Sequence, residues 1–207
     1  MARTESTMVH LGTAAPAFEL VDVLSSRAMG RDDVFALASD DLPPGKTATG
    51  RHGLLVLFLC AHCPFVKHVE EEIARIDRDY FNAGRGPIAI AAIQSNDTAQ
   101  YPDDGPEGMR AQARRLGWTF PYLLDDTQEV ARSYAAACTP DVFLFDAQMK
   151  LVYRGQIDSS RPQKDGVGEV VPVTGRDVRA ALDAVIAGRP PDPDQRQSLG
   201  CNIKWRQ

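Results

Sequence analysis

Cys60 and Cys63 stand three positions apart in the run Cys60-Ala61-His62-Cys63-Pro64. At the start of a helix, residues at i and i+3 share one face with their side chains ~5–6 Å apart, close enough for two sulfurs to close a small disulfide. The unpaired N–H groups of a helix start carry partial positive charge and favour a thiolate. Cys60 is therefore expected to be the nucleophile. A cysteine with an ordinary pKa of ~8.5 is only a few per cent thiolate at neutral pH, whereas one lowered to ~6.5 is mostly ionised. His62, between the two sulfurs, is expected to lower the pKa of Cys60 further.

The elements that must hold these groups are readable. Leu54 to Leu59 is an unbroken apolar run, the pattern of a central strand covered on both faces. From Pro64, a residue suited to a first helical turn, Phe65, Val66, Val69, Ile73, Ile76 and Tyr80 recur at helical spacing. Ile88 to Ile93 predicts a second buried strand, followed by a polar loop from Gln94 to Gly108 and a helix ending at Leu116. Phe120 to Leu124 and Thr127 to Ala135 predict a short strand and a helix. Val142 to Phe145 and Lys150 to Arg154 predict a hairpin. The last helix is expected from Thr174, capped by Thr174 with Asp177, and stops at Gly188 and Pro190.

This order predicts an α/β fold with a central mixed sheet and helices on both faces. Residues 1–11 are expected to be a flexible start and 12–188 the folded domain. Residues 189–207 are expected to form an extended C-terminal arm, because prolines among charged residues favour extension. Up to residue 50 the chain reads as irregular apart from a short entering strand within Gly12 to Leu20, with a Pro/Gly-rich linker from Leu42 to Gly53.

Composition narrows the function classes. The chain has 207 residues, 43% of them hydrophobic, and a formal net charge of -5. It can bury a core without staples and offers no basic stripe for nucleic acid. No apolar run reaches the ~18 residues needed to span a bilayer, and the start lacks the pattern of a secretory signal. The expectation is a cytoplasmic protein without membrane or nucleic-acid partners. Four cysteines are too few for a disulfide framework and point to catalysis, metal binding or burial.

The strand Leu54 to Leu59, the motif Cys60 to Pro64 and the following helix resemble the thioredoxin superfamily. Thr139-Pro140, just before a strand, matches the place where thioredoxins set a cis-proline facing the dithiol. Gly12 to Leu20, Ser95-Asn96-Asp97, Phe120-Pro121-Tyr122, Ala137-Cys138-Thr139-Pro140 and Phe143 to Asp146 are similar to the redoxin branch, the alkyl hydroperoxide reductase and thiol-specific antioxidant type. The ending Gly200 to Trp205 is similar to that of a subgroup of thioredoxin-like redoxins.

The resemblance implies a thiol-disulfide oxidoreductase in which Cys60 attacks a substrate disulfide and Cys63 resolves the mixed disulfide. His62, Thr139 and Pro140 would support that chemistry, no cofactor is needed, and an external thiol reductant would regenerate the dithiol. The partners expected are disulfide-containing proteins or small molecules. The resemblance also implies a thioredoxin-like potential between about -270 and -120 mV, and a cytosolic poise below about -220 mV would hold a member at the oxidising end as a dithiol.

Peroxiredoxins carry proline seven and threonine or serine three residues before the peroxidatic cysteine. Here those positions hold Gly53 and Leu57 for Cys60, and Val56 and Cys60 for Cys63. A thiol-dependent peroxidase with Cys60 as peroxidatic thiol is the alternative. A Cu(I)- or Zn(II)-binding protein using Cys60, His62, Cys63 and His68 is a further one. Cys138 is either an additional redox thiol or a small buried hydrophobe. Cys201 is either a second resolving thiol or part of an arm anchored by Ile203 and Trp205. Asp158 and Arg161 can line a substrate groove. The acid clusters Glu70 to Glu72, Asp103-Asp104 and Asp125-Asp126 read as solvated surface.

Overall fold

A computed structural model describes residues 3–37, 50–163 and 171–206; most of the expected Leu42 to Gly53 linker lies outside them. In chain order the strands are β1 (Arg3–Glu5), β2 (Glu19–Asp22), β3 (Ala28–Gly30), β4 (Gly53–Phe58), β5 (Ile88–Gln94), β6 (Tyr122–Leu124), β7 (Cys138–Thr139), β8 (Asp141–Asp146), β9 (Leu151–Gly155) and β10 (Leu199–Asn202). The α-helices are α1 (Arg31–Ala36), α2 (Pro64–Ile76), α3 (Pro106–Leu116), α4 (Glu129–Ser133) and α5 (Arg176–Ile186).

The main sheet runs β3-β2-β6-β5-β4-β8-β9, with β4 parallel to β5 and antiparallel to β8. Every residue of β4 is buried because both faces are covered. Leu55, Leu57 and Leu59 pack with Val66 and Ile73 of α2 and Leu182 of α5. Leu54, Val56 and Phe58 point to the other face, against Val34 of α1 and Val130 and Tyr134 near α4. This is the expected thioredoxin-like α/β architecture, with helices on both faces of a mixed sheet. No helix among the described residues is long and apolar enough to cross a membrane.

The chain ends depart from expectation. The start is not a free tail and the C-terminal arm is not simply extended, because β1, β10 and β7 form a second, three-stranded sheet. Arg3 pairs with Cys201, and Cys201 in turn with Thr139. The Ser6 N–H donates to the Ser198 carbonyl at 3.0 Å, and the Ile203 N–H to the Ala137 carbonyl at 3.1 Å. Three- and four-residue strands show no apolar alternation, so nothing local announces them; they form because buried backbone groups need partners. The stretch before residue 50 is also less irregular than it reads, since β2 and β3 form a hairpin that leads into α1.

The expected Thr174–Asp177 cap is not made. Helix α5 begins after Gly175, whose φ is 64°, and the N–H groups of Thr174 and Gly175 both donate to the Asp158 carboxylate at 2.7 Å. The first-turn N–H groups of Asp177 and Val178 donate to the Ile157 carbonyl at 3.2 and 3.3 Å, so the neighbouring loop serves the helix start in place of a local side chain.

Gly200 marks where β10 docks. A Cβ there would lie 2.2 Å from the Thr139 carbonyl oxygen and 3.2 Å from the Pro140 nitrogen. Gly200→Ala is expected to lower stability by about 1–3 kcal/mol, the usual range for overpacking, read as a lower midpoint in urea unfolding. An unchanged midpoint would show that β10 can move off β7 without loss.

Candidate active site

Central strand β4 delivers the chain to Cys60, and α2 starts at Pro64 with Cys63 as its N-cap. The residue before a proline is pushed to extended backbone, as Cys63 is, with φ -66° and ψ 124°. Both cysteines are fully buried beneath the half-exposed Ala61 and His62. The Thr139-Pro140 bond is cis, and Thr139 faces the pair. Its hydroxyl lies 3.3 Å from Cys60 Sγ, and its carbonyl oxygen 3.2 Å from Cys63 Sγ. The two separated motifs thus meet at one point, with all four cysteines unbridged.

Cys63 is in side-chain hydrogen-bond contact with both Cys201 and Cys60. Those two contacts, in that order, hold its thiol well below the ordinary range, against its burial, with further help from Thr139 and the Val66 N–H of the first helical turn. Cys60 is held well above the ordinary range by its hydrogen bond to Cys63, by burial and by the negative charge of Asp104. The lowering expected at Cys60 thus falls on Cys63, where the hydrogen bonds with Cys201 and Cys60 are the largest causes.

His62 is also placed differently. Its ring stacks on Tyr101 with centroids 5.3 Å apart, and Nδ1 lies 2.5 Å from Asp104 Oδ2. Asp104 itself is fully buried and accepts the His62 backbone N–H at 3.0 Å and the Asn96 amide at 2.8 Å. Gln94, at the end of β5, holds the Asp104 carbonyl at 2.9 Å. Reading Asp103-Asp104 as solvated surface is therefore wrong for Asp104. The same holds for Asp125, which accepts from Ser95 and from the first turn of α4, and for Glu70 and Glu72, buried and paired with Arg115 and with Arg75 and Arg179. The one sequence signal was the polar run Gln94 to Asp97 directly after a fully buried strand.

Cys60, His62 and Asp104 each place one ligand atom within 4.8 Å of the others. Both Asp104 oxygens are already taken by protein donors, so a cation would have to displace them. His68 stands apart from this group, with Nε2 3.1 Å from Ser160 Oγ. That takes it out of the four-residue metal set read from the sequence. Asp158 and Arg161 line a groove with Phe65, His68, Val69 and Pro140 beside the dithiol. Cys138, buried, donates to the Pro140 carbonyl at 3.6 Å, and burial holds its thiol far above the ordinary range. Cys201, also buried, lies in the same apolar cluster as Cys60, Cys63 and Val66.

A profile of the Redoxin family matches residues 11–171. Among solved structures, an uncharacterized conserved protein from Geobacillus kaustophilus is 45% identical, with TM-score 0.85, covering 100% of this chain and 97% of that one. A hypothetical protein from Sinorhizobium meliloti is 39% identical, with TM-score 0.83 and 98% coverage of both chains. The C-terminal domain of a putative thiol-disulfide oxidoreductase from Bacteroides thetaiotaomicron shares the fold, with TM-score 0.57 and 15% identity over 86% of this chain and 97% of that one. No curated protein matched the chain.

Proposed function

The chain belongs to the redoxin family, and on that premise we propose that it is a thiol-disulfide oxidoreductase working through the Cys60/Cys63 dithiol. The observation that carries the reading is the meeting of both sulfurs with the Thr139 hydroxyl and carbonyl, at 3.3 and 3.2 Å.

Both sulfurs are fully buried; Cys60, first in the motif, takes the attacking role and Cys63 the resolving one. In the resting dithiol Cys63 ionises the more readily of the two. The Cys60 proton passes to Cys63, and the Cys60 thiolate forms a bond to one sulfur of the substrate disulfide while the other leaves with the electron pair. The departing thiolate takes the proton from Cys63. The Cys63 thiolate then attacks Cys60, closing the internal disulfide and releasing the second substrate sulfur. Two electrons have moved to the substrate, and an external thiol reductant restores the dithiol.

Equilibration in thiol-disulfide buffers, followed by acid quench, alkylation and peptide mass mapping, tests the reading. A Cys60–Cys63 bridge is expected to form with a midpoint between about -270 and -120 mV. Four alkylated thiols across that whole range would remove the assignment.

A further inference from the structure

We propose that Cys201 is a third redox thiol, one that can take Cys63 over from Cys60 and so convert the Cys60–Cys63 disulfide into a Cys63–Cys201 disulfide. This rests on the dithiol reading above and adds a second bridge to it. The geometry that carries it is the placement of three sulfurs around one residue. Thr139 touches Cys60 through its hydroxyl and Cys63 through its carbonyl, and it is the strand partner of Cys201 in the β7–β10 pair. Gly200 lets β10 come this close, since any side chain there would strike the Thr139 carbonyl. Cys201 is 2% exposed and packs with Cys60, Cys63 and Val66 at the start of α2.

The order of the sulfurs matters. Cys63 is in hydrogen-bond contact with Cys60 and with Cys201, so it stands as the shared neighbour of the other two. Attack on a disulfide sulfur has to come from the side opposite the bond that breaks, and a shared neighbour is the sulfur at which one bond can replace the other. In the step, the Cys201 thiolate bonds to Cys63 Sγ, the Cys60–Cys63 bond breaks, and its electron pair leaves on Cys60. Cys60 takes up the proton that Cys201 has lost. No electrons enter or leave the chain, so no further oxidant is required.

The step also has a built-in timing. In the dithiol, Cys201 is held as a thiol by its hydrogen bond to Cys63, by burial and by the Cys63 charge. When Cys63 enters the disulfide its charge is consumed, and the first and third of these causes vanish. The nearby ammonium of Lys204, which favours ionisation of Cys201, remains. Cys201 thus becomes a nucleophile after the first bridge has formed and not before. The second bridge returns Cys60 to the thiol form and ties β10 covalently to the start of α2.

The test maps disulfides after equilibration in dithiothreitol buffers and acid quench, for the wild type, Cys201→Ser and Cys60→Ser. The wild type is expected to give both Cys60–Cys63 and Cys63–Cys201 peptides. Cys201→Ser should give the first bridge alone, and Cys60→Ser should lose two of its three thiols to the second. The proposal is overturned by a wild type that forms Cys60–Cys63 alone at every potential, or by a folded Cys60→Ser that keeps three thiols or bridges through Cys138. Should Cys60→Ser fail to fold, as read from its circular dichroism, the wild-type peptides decide by themselves. Failure of the dithiol reading is distinct, because then Cys201→Ser also forms no bridge.

Discussion

Cys63→Ser is expected to lose at least about three orders of magnitude in disulfide-reducing turnover while accumulating a covalent adduct on Cys60. Serine cannot displace a mixed disulfide, so the reaction halts after its first half. The fold should survive, because Cys63 is the N-cap of α2 and serine is among the preferred residues there. Cys60 should also remain competent. The first cause raising its pKa is the hydrogen bond to Cys63; without the Cys63 thiolate, the Cys60 thiol ionises at lower pH, although burial and Asp104 still oppose it. Mass spectrometry after incubation with a disulfide peptide should therefore show one peptide thiol added per chain, removable by dithiothreitol. Retained turnover, or adduct on Cys138 or Cys201 in place of Cys60, would contradict the assigned roles.

The central strand and the helix after it were legible because each rests on a local pattern, whereas the Thr139-Pro140 contact was expected only from the resemblance to thioredoxins. An unbroken apolar run has one stable place in a layered fold, and helical periodicity after Pro64 admits one element. The lowering at Cys63 had no local signal, because its first cause is Cys201, far along the chain. His62 was placed beside the sulfurs because its neighbours in sequence are cysteines, yet its ring is held by Asp104 and Tyr101, some forty residues on.

What stayed hidden depends on pairing across distance. A carboxylate is read as solvated unless its partners are known, since an unpaired charge is too costly to bury. Asp104, Asp125, Glu70 and Glu72 have such partners on other elements. The β1–β10–β7 sheet is the backbone version of the same problem: short strands without alternation, satisfied only when the two chain ends meet. That hidden sheet is also what brings Cys201 to the dithiol, so the feature least visible in the sequence is the one that enlarges the site from two sulfurs to three.

Asp141, which follows Pro140 at the start of β8, is expected to make the protein less stable as pH rises from about 4 to about 7. Its carboxyl is 1% exposed; Oδ2 accepts the Ala137 N–H at 3.1 Å, and Oδ1 has no hydrogen-bond partner among the described residues. Burial pushes its pKa up to about 7, partly offset by backbone N–H donors from Ala137, Val142 and Cys138. In the unfolded chain it returns to about 3.8. Between these two values the folded state holds a proton that the unfolded state has released, so stability falls with rising pH, by about 1.4 kcal/mol per unit and up to about 4 kcal/mol in all. Asp158 works in the opposite sense: hydrogen-bond donors from Ser160, Gly175 and Thr174 outweigh its burial and lower its pKa, so its contribution is present above the ordinary carboxylate range and is lost in acid. Asp141→Asn retains an oxygen for the Ala137 N–H and cannot ionise. Its urea midpoint should lack the decline that the wild type shows between pH 5 and 7, and it should exceed the wild type at pH 8. Parallel profiles for the two proteins would mean that the Asp141 carboxyl is already ionised in the folded chain.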